Sequence, residues 1–357
     1  MTIKAIRMFD GGFISQPFAF GGEEGKEAFD DQMYYRNSLQ NYAIDLGDEV
    51  ILADTGMDDG FSQPRTFGAP LYMGDRVSGY MDALKAAGID PARVTKILIT
   101  HKHNDHTYHI KSFPNAKVYL SPEEADAMKL AGDNIVRCPF SDGPYHEFER
   151  SQVIAPGVRY VFAPGHTKGN SIIIAEKDGL FYMMHGDVTY CDAALKANKL
   201  SVIFEDKAAA RDTLDRVRAF IKARPTVYLS THCPEGYESL ALKRVMKLAY
   251  GSLSMFPEII GKVPVRDYGM DGLAVHADHT SAGTVYFVST TKEIPFPLHQ
   301  HAEQWTIVVA GECQLTMNGE TKIYRKGDTY RIPANTPHQI TLGANYAEVD
   351  YVDDPND

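Results

Sequence analysis

Cysteine, positive charge and long apolar runs are all scarce in this sequence. Its four cysteines, Cys138, Cys191, Cys233 and Cys313, are scattered with no paired spacing. That pattern excludes a disulfide framework and suits free thiols in a reducing compartment. Cys191 and Cys233 lie next to motifs described below, where packing is the role expected of them. No run is apolar over the length that a membrane helix needs, and Met1 to Arg7 has no signal-peptide core. The expected location is the cytoplasm, with no membrane partner. Lysine and arginine number 36 against 47 aspartates and glutamates, a net charge of -11. Nucleic acid is therefore not an expected partner, because phosphate binding needs a basic surface. The remaining composition, 44% hydrophobic and 23% charged over 357 residues, is that of a globular protein too long for one ordinary core.

The order of elements is repetitive. Asp48 to Met57 reads as a strand ending in a polar turn. Val77 to Ala87 reads as a helix stopped by Gly88. Val94 to Ile99 reads as a buried strand. Ser121-Pro122-Glu123-Glu124 opens a helix, with serine as cap and Glu124 completing a capping box. Val158–Phe162, Ser171–Ala175, Leu180–Met184 and Thr226–Leu229 read as strands, and 207–223 as an amphipathic helix. A polar, helical stretch is expected from His232 to about Gly261. After about Asp267 helical periodicity disappears, and short β-branched runs alternate with turns, as in a small barrel or jelly roll. The expected domains are 1–262 and 263–357.

Candidate ligands cluster where strands end. His101, His103, Asp105 and His106 fall within six residues, just past the strand from Val94. Imidazole and carboxylate are the usual ligands of zinc and similar ions. Side chains at a strand end can converge on one point without being committed to the core. His166 follows Pro164-Gly165, Asp187 follows His185-Gly186, and His232 follows the strand from Thr226.

The His-x-His-x-Asp-His run, with His166, Asp187 and His232 in order and Asp54-Thr55-Gly56 before it, resembles the metallo-β-lactamase superfamily. The resemblance covers roughly residues 40 to 235. It implies an αβ/βα sandwich with a two-metal site at one edge of its sheets. It further implies that His101, His103 and His166 hold one divalent ion, that Asp105, His106 and His232 hold a second, and that Asp187 bridges them. Zinc is the expected metal, with iron, manganese and cobalt as alternatives. Seven ligands without cysteine favour two catalytic ions over a closed structural site. Tyr190, three residues after Asp187, resembles the tyrosine of N-acyl-homoserine lactonases that hydrogen-bonds the substrate carbonyl. The sequence departs from that group at Thr107-Tyr108-His109, where bulky residues replace Ala-Gly-Gly and are expected to narrow or reshape the pocket. His109 is not expected to ligate. His185 is a candidate either for orienting a ligand or for packing.

A second set lies near the C-terminus. Pro297 to Gly311, with His299, His301 and Gln304, and Gly327 to His338 resemble the paired motifs of the cupin family, a double-stranded β-helix barrel. His299, His301, Gln304 and His338 are the expected ligands of one further divalent ion. Glutamine stands where cupins often carry glutamate, and Asn335 where they carry glycine. The fold class expected overall is α+β, a sandwich followed by an all-β barrel. The expected function is dinuclear metal-dependent hydrolysis of a lactone or related ester by a metal-bridging hydroxide, with Tyr190 steadying the oxyanion and Asp105 moving the proton. A thioesterase or phosphodiesterase of the same fold is the alternative, as is a metal-dependent protein that only binds a small molecule. Small cupins often pair through strands, so a homodimer is a further expectation.

Overall fold

The computed structural model describes every residue except 32, 67, 249–254, 265, 267, 269, 271 and 355–357. Two compact units follow one another along the chain, 1–248 and 249–357. The expected boundary at 262 lies at the end of the 3-10 turn Glu258–Lys262, inside the second unit.

The first unit is built on two sheets. One contains β1 (Thr2–Ser15), β2 (Tyr34–Asp45), β3 (Val50–Ala53), β4 (Leu71–Arg76), β5 (Val94–Leu98), β6 (Lys117–Leu120) and β7 (Ile135–Arg137), in the order β4-β1-β2-β3-β5-β6-β7. The other contains β8 (Ser151–Ala155), β9 (Val158–Phe162), β10 (Ser171–Lys177), β11 (Leu180–Met184) and β12 (Thr226–Leu229), in the order β12-β11-β10-β9-β8. Their facing sides share one apolar layer, in which Ile44, Ile51 and Leu98 of the first meet Ile173, Met184 and Leu229 of the second. All four residues of β3, Val50 to Ala53, are buried, as expected of a strand covered on both faces.

Helices cover the outer sides. The helix Tyr80–Ala86 lays Tyr80, Ala83 and Leu84 on the first sheet. The helix Lys207–Ala223 buries Ala210, Thr213, Leu214, Val217, Phe220 and Ile221 on the second, a spacing that keeps one stripe inward. Asp206 caps it by accepting from the Ala209 amide at 3.0 Å. Pro225 stops it, since Arg224 before a proline is pushed to extended backbone (φ -141°). The architecture is the expected αβ/βα sandwich.

Some expectations change. The helix Pro122–Met128 is capped as expected, but the capping box is half made. Ser121 Oγ accepts from the Glu124 amide at 3.2 Å, while the Glu124 carboxylate turns away to another loop. The stretch after His232 is helical only over Glu235–Leu242 among the described residues before the second unit. The long hairpin β1–β2 was hidden from periodicity. Along β2 both faces are buried, so polar Asn37, Ser38, Gln40 and Asn41 sit inside with no alternation to read.

The second unit is all β. A five-stranded sheet, β13 (Leu273–His279), β14 (Thr284–Thr290), β21 (Ala347–Val352), β16 (Gln304–Ala310) and β19 (Thr329–Ile332), faces a four-stranded one of β15 (Ile294–His299), β20 (His338–Leu342), β17 (Glu312–Met317) and β18 (Glu320–Arg325). Their inner residues form one core, including Val275, Val288, Val308, Leu315, Ile332 and Leu342. Asn335 takes φ +57°, the left-handed turn expected where asparagine replaces glycine.

The loop after β9 carries a backbone constraint. Gly165 has φ +140°, and a Cβ there would stand 2.3 Å from Ala210 Cα. Gly165→Ala must push this loop off the helix Lys207–Ala223. We expect a loss of about 1–3 kcal/mol in urea unfolding, together with reduced metal content, because His166 is the next residue. Unchanged stability would mean that the loop moves freely.

Candidate metal centre

Four strand ends deliver the candidate ligands to one edge of the sandwich, and a fifth delivers the aspartate that supports them. β3 leads to Asp54, β5 to His101 through His106, β9 to His166, β11 to Asp187 and β12 to His232. The structure brings all seven predicted residues together, in two overlapping groups. His101, His103, His166 and Asp187 form one, and Asp105, His106, Asp187 and His232 the other. Asp187 is common to both.

The distances suit ions. His101 Nε2, His103 Nδ1 and His166 Nε2 form a triangle with sides of 3.0, 3.0 and 3.2 Å. Three nitrogens each bound to one tetrahedral zinc would stand about 3.3 Å apart. Protons cannot settle that triangle well, because three lone pairs point at one spot. In the second group His106 Nε2 is 3.3 Å from Asp187 Oδ1, and His232 Nε2 is 3.1 Å from Asp187 Oδ2 and 3.3 Å from Asp105 Oδ2. His106 Nε2 and Asp187 Oδ1 are fully buried yet have no hydrogen-bond partner among the described residues. A buried polar atom without a partner is costly, and cations between these atoms would remove that cost. The residues present therefore fit two divalent ions.

A second layer of hydrogen bonds aims the rings. Asp54 takes φ +65°, a turn that aspartate tolerates. Its Oδ1 accepts from the Thr100 amide at 2.7 Å and its Oδ2 from Thr100 Oγ1 at 2.8 Å. His106 Nδ1 lies 2.7 Å from the same Oδ2, so its proton sits there and Nε2 faces the site. Thr100 has given its only proton to Asp54, so its oxygen accepts from His101 Nδ1 at 3.1 Å. His166 Nδ1 donates to the Ile203 carbonyl at 3.2 Å. Gly186 brings Asp187 in, since a Cβ there would meet Thr100 at 2.9 Å.

Sequence reasoning missed Thr100, Glu124 and Gln40. Glu124 Oε1 accepts from Thr167 Oγ1 and the Gly169 amide, both at 2.8 Å, and so ties down the His166 loop. Gln40 Nε2 donates to the Ser230 and Cys233 carbonyls at 2.6 and 2.8 Å, on either side of His232. Only the position of Thr100, directly before His101, could have been a signal.

Burial and charge oppose each other here. Burial and the neighbouring imidazoles hold His101 well below its ordinary value, and burial takes His166 down to about 4. Burial also works against charge on His106 and His232. There Asp187 and nearby carboxylates outweigh it, lifting His106 well above the ordinary value and His232 to about 9. Burial alone would raise Asp187, but His232 and His106 hold it well below the usual carboxylate range. Without metal the edge is thus a set of buried ion pairs, and metal uptake must displace protons from His106 and His232.

Tyr190 is buried at the rim of the same group. Its ring stacks on His232 (5.1 Å, 19°) and meets His166 edge-on (6.0 Å, 71°). Burial first, then Asp187, pushes its phenol well above the ordinary value, so it stays a donor. The expected narrowing by Tyr108 and His109 is not seen. Tyr108 is 51% exposed, and His109 stacks on Tyr80 at 5.2 Å, so neither ring enters the ligand group. His185 stacks on Tyr228 at 4.0 Å with both ring nitrogens unpartnered among the described residues, which is packing and not ligand orientation. Cys191 and Cys233 are buried thiols outside both ligand groups.

In the second unit His299, His301 and His338 converge, with ring centroids 4.3 to 5.5 Å apart. Each has its Nδ1 on a backbone carbonyl, of Pro297, Ala302 and Thr336, so Nε2 is free to face a common point. Gln304 lines the same cavity and gives its Nε2 proton to Thr306 Oγ1 at 2.9 Å.

The hydrogen bond from His106 to Asp54 supplies a test of the centre. Asp54→Asn keeps size but removes the charge behind two ligands. We expect metal affinity to fall about 10- to 100-fold in competition with a chromogenic chelator, with circular dichroism unchanged. Unaltered affinity would show that Asp54 serves only the turn.

Comparison with known proteins agrees with this geometry. Residues 40–232 match the model of the metallo-beta-lactamase superfamily, and residues 284–345 match that of the cupin domain. An N-acyl homoserine lactonase of a Bacillus species is 24% identical over 197 residues, covering 52% of this chain and 78% of the relative. The N-acyl homoserine lactonase AiiB of Agrobacterium fabrum is 23% identical over 224 residues, covering 56% and 80%. In fold the chain is similar to the solved structure of a quorum-quenching N-acyl homoserine lactone hydrolase, with TM-score 0.50 and 19% identity over 67% of this chain and 96% of that one. Among the described residues no helix is long and apolar enough to cross a membrane. With the family match spanning more than half of the sequence, the chain belongs to the metallo-beta-lactamase superfamily, as a metal-dependent hydrolase followed by a cupin domain.

Proposed function

We propose that the chain opens a lactone, of the N-acyl-homoserine type or a related ester. The observation that carries this reading is Tyr190, a buried phenol that stays protonated at the rim of the candidate ligands, stacked on His232. The relatives' lactonase names support it. We assign His101, His103 and His166 to one divalent ion, Asp105, His106 and His232 to a second, and Asp187 to both. Zinc is the metal proposed, since imidazole and carboxylate without cysteine suit an open catalytic zinc site. Two such ions, when bound, supply Lewis acidity and a water-derived nucleophile at neutral pH.

The chain's own residues do the rest. Tyr190 Oη donates to the substrate carbonyl and holds it more tightly as charge develops on that oxygen. The walls around it, including Phe18, whose ring meets Tyr190 edge-on at 5.8 Å, exclude water from the reacting carbonyl. Asp105 is ionised at neutral pH, because the charges of His106 and His232 outweigh its burial. It lies 3.3 Å from His232 at the site's edge, where it can accept a proton and pass it to the leaving alkoxide. In the second unit, His299, His301 and His338, with Gln304 beside them, are proposed to hold one further divalent ion.

Lactones, thioesters and phosphodiesters assayed side by side, with and without chelator, test the activity. Chelator-sensitive turnover of lactones above the other two classes is expected, and preferential turnover of a thioester or phosphodiester would replace this reading. Tyr190→Phe keeps the ring and its stacking while removing the donor. Turnover of a lactone should drop roughly tenfold, about 1–2 kcal/mol, and the Michaelis constant should change little. An unaltered rate would reduce Tyr190 to a packing residue. For the second unit, His299→Ala with His301→Ala should lower total metal by about one equivalent per chain while two remain. A full complement after that change would end the assignment.

A further inference from the structure

The barrel of the second unit encloses a cavity of about 290 Å³. That is near the lower end of the roughly 300–1,000 Å³ typical of ligand sites, so it suits a small molecule. Val275, Val288, Ile332, Ile340 and Leu342 make an apolar wall. Two acids of one strand break it. Glu348 and Asp350, two apart on β21, point to the same side and both line the cavity, although each is about nineteen-twentieths buried (4% and 5% exposed).

Their partners are all uncharged. Glu348 Oε2 accepts from Tyr330 Oη at 2.6 Å and from Tyr346 Oη at 2.5 Å. Asp350 Oδ1 accepts from Thr306 Oγ1 at 2.6 Å, and Thr306 Oγ1 in turn accepts from Gln304 Nε2 at 2.9 Å. Both tyrosine hydrogen bonds to Glu348 fall on Oε2, and neither acid has an ion-pair partner among the described residues. Arg266 also lines the cavity, but its guanidinium donates to Tyr286 Oη and lies over the rings of Tyr268 and Tyr286 (5.2 and 5.5 Å). Burial pushes the Glu348 carboxyl up, and the two tyrosine hydroxyls only partly offset it. A barrel that needed filling alone would carry aliphatic side chains at these two positions. Two buried carboxyls beside an apolar wall, in the cavity that His299, His301 and His338 also line, are settled either by keeping protons or by a cation brought to them.

We propose that this cavity binds a small molecule with a protonated amine, which Glu348 and Asp350 hold while its apolar body lies against the aliphatic wall. The ammonium supplies the counter-charge and donates to Glu348 Oε1. Recognition by charge-assisted hydrogen bonds from two buried carboxyls beside an apolar wall should separate an amine from a neutral molecule of the same shape. This site is distinct from the hydrolytic edge and does not depend on its chemistry.

The test uses the full chain stripped of metal with chelator, so that neither metal assignment enters. Phenethylamine, its isosteric alcohol and hydrocinnamate are titrated calorimetrically. Phenethylamine should bind once per chain and about tenfold or more tightly than the alcohol, with no binding of hydrocinnamate. Glu348→Gln and Asp350→Asn should each weaken the amine about tenfold while leaving the alcohol unchanged. Should Glu348→Gln fail to fold, because it loosens the two tyrosines, Asp350→Asn carries the comparison. Equal affinity for amine and alcohol, binding of hydrocinnamate, no binding of any probe, or amine binding indifferent to the foldable variants would each overturn the proposal.

Discussion

The hydrolytic edge depends on a buried convergence of lone pairs that the polypeptide cannot satisfy by itself. Five imidazoles and two carboxylates meet with ligand atoms 3.0 to 3.9 Å apart, and two of those atoms, His106 Nε2 and Asp187 Oδ1, have no hydrogen-bond partner among the described residues. Such a set is costly unless cations or protons sit among it. The surrounding fold bears that cost through rigid outer contacts. Asp54 and Thr100 fix two rings, Glu124 fixes the His166 loop, and Gln40 fixes the segment around His232. None of these four residues touches the common point, yet each decides where a ligand atom points.

The sandwich makes that convergence affordable in geometric terms. β3 and β5 of one sheet and β9, β11 and β12 of the other all end at one edge. Ligands can therefore come from distant parts of the chain without interrupting the apolar layer between the sheets. Burial near that layer also sets the electrostatics. It drives protons off His101 and His166, while the carboxylates keep them on His106 and His232. The same enclosure keeps Tyr190 a donor, the state that oxyanion stabilisation needs. The second unit applies the same economy differently. Its barrel joins three histidines, an amide and two acids in one small hollow, where each group changes the cost of burying the others.

Much of this was written locally in the sequence. Ligand-type residues at strand ends, such as His101 to His106, are visible because spacing within one loop survives into the fold. The helix Lys207–Ala223 and the strand Thr226–Leu229 could be read to the residue, since a stripe and a proline stop are local facts. The paired cupin motifs were legible for the same reason. The tertiary structure alone decided the remainder. Glu124 looked like the second half of a capping box, and only the approach of the His166 loop gave its carboxylate better donors. Tyr108 and His109 looked like obstructions, and only the turn of that segment sent one outward and the other onto Tyr80. The Glu348–Asp350 pair showed no signal, because two acids on a strand ordinarily face water. Which face of β21 turns inward is fixed by pairing with β14 and β16, long-range contacts that no local pattern encodes.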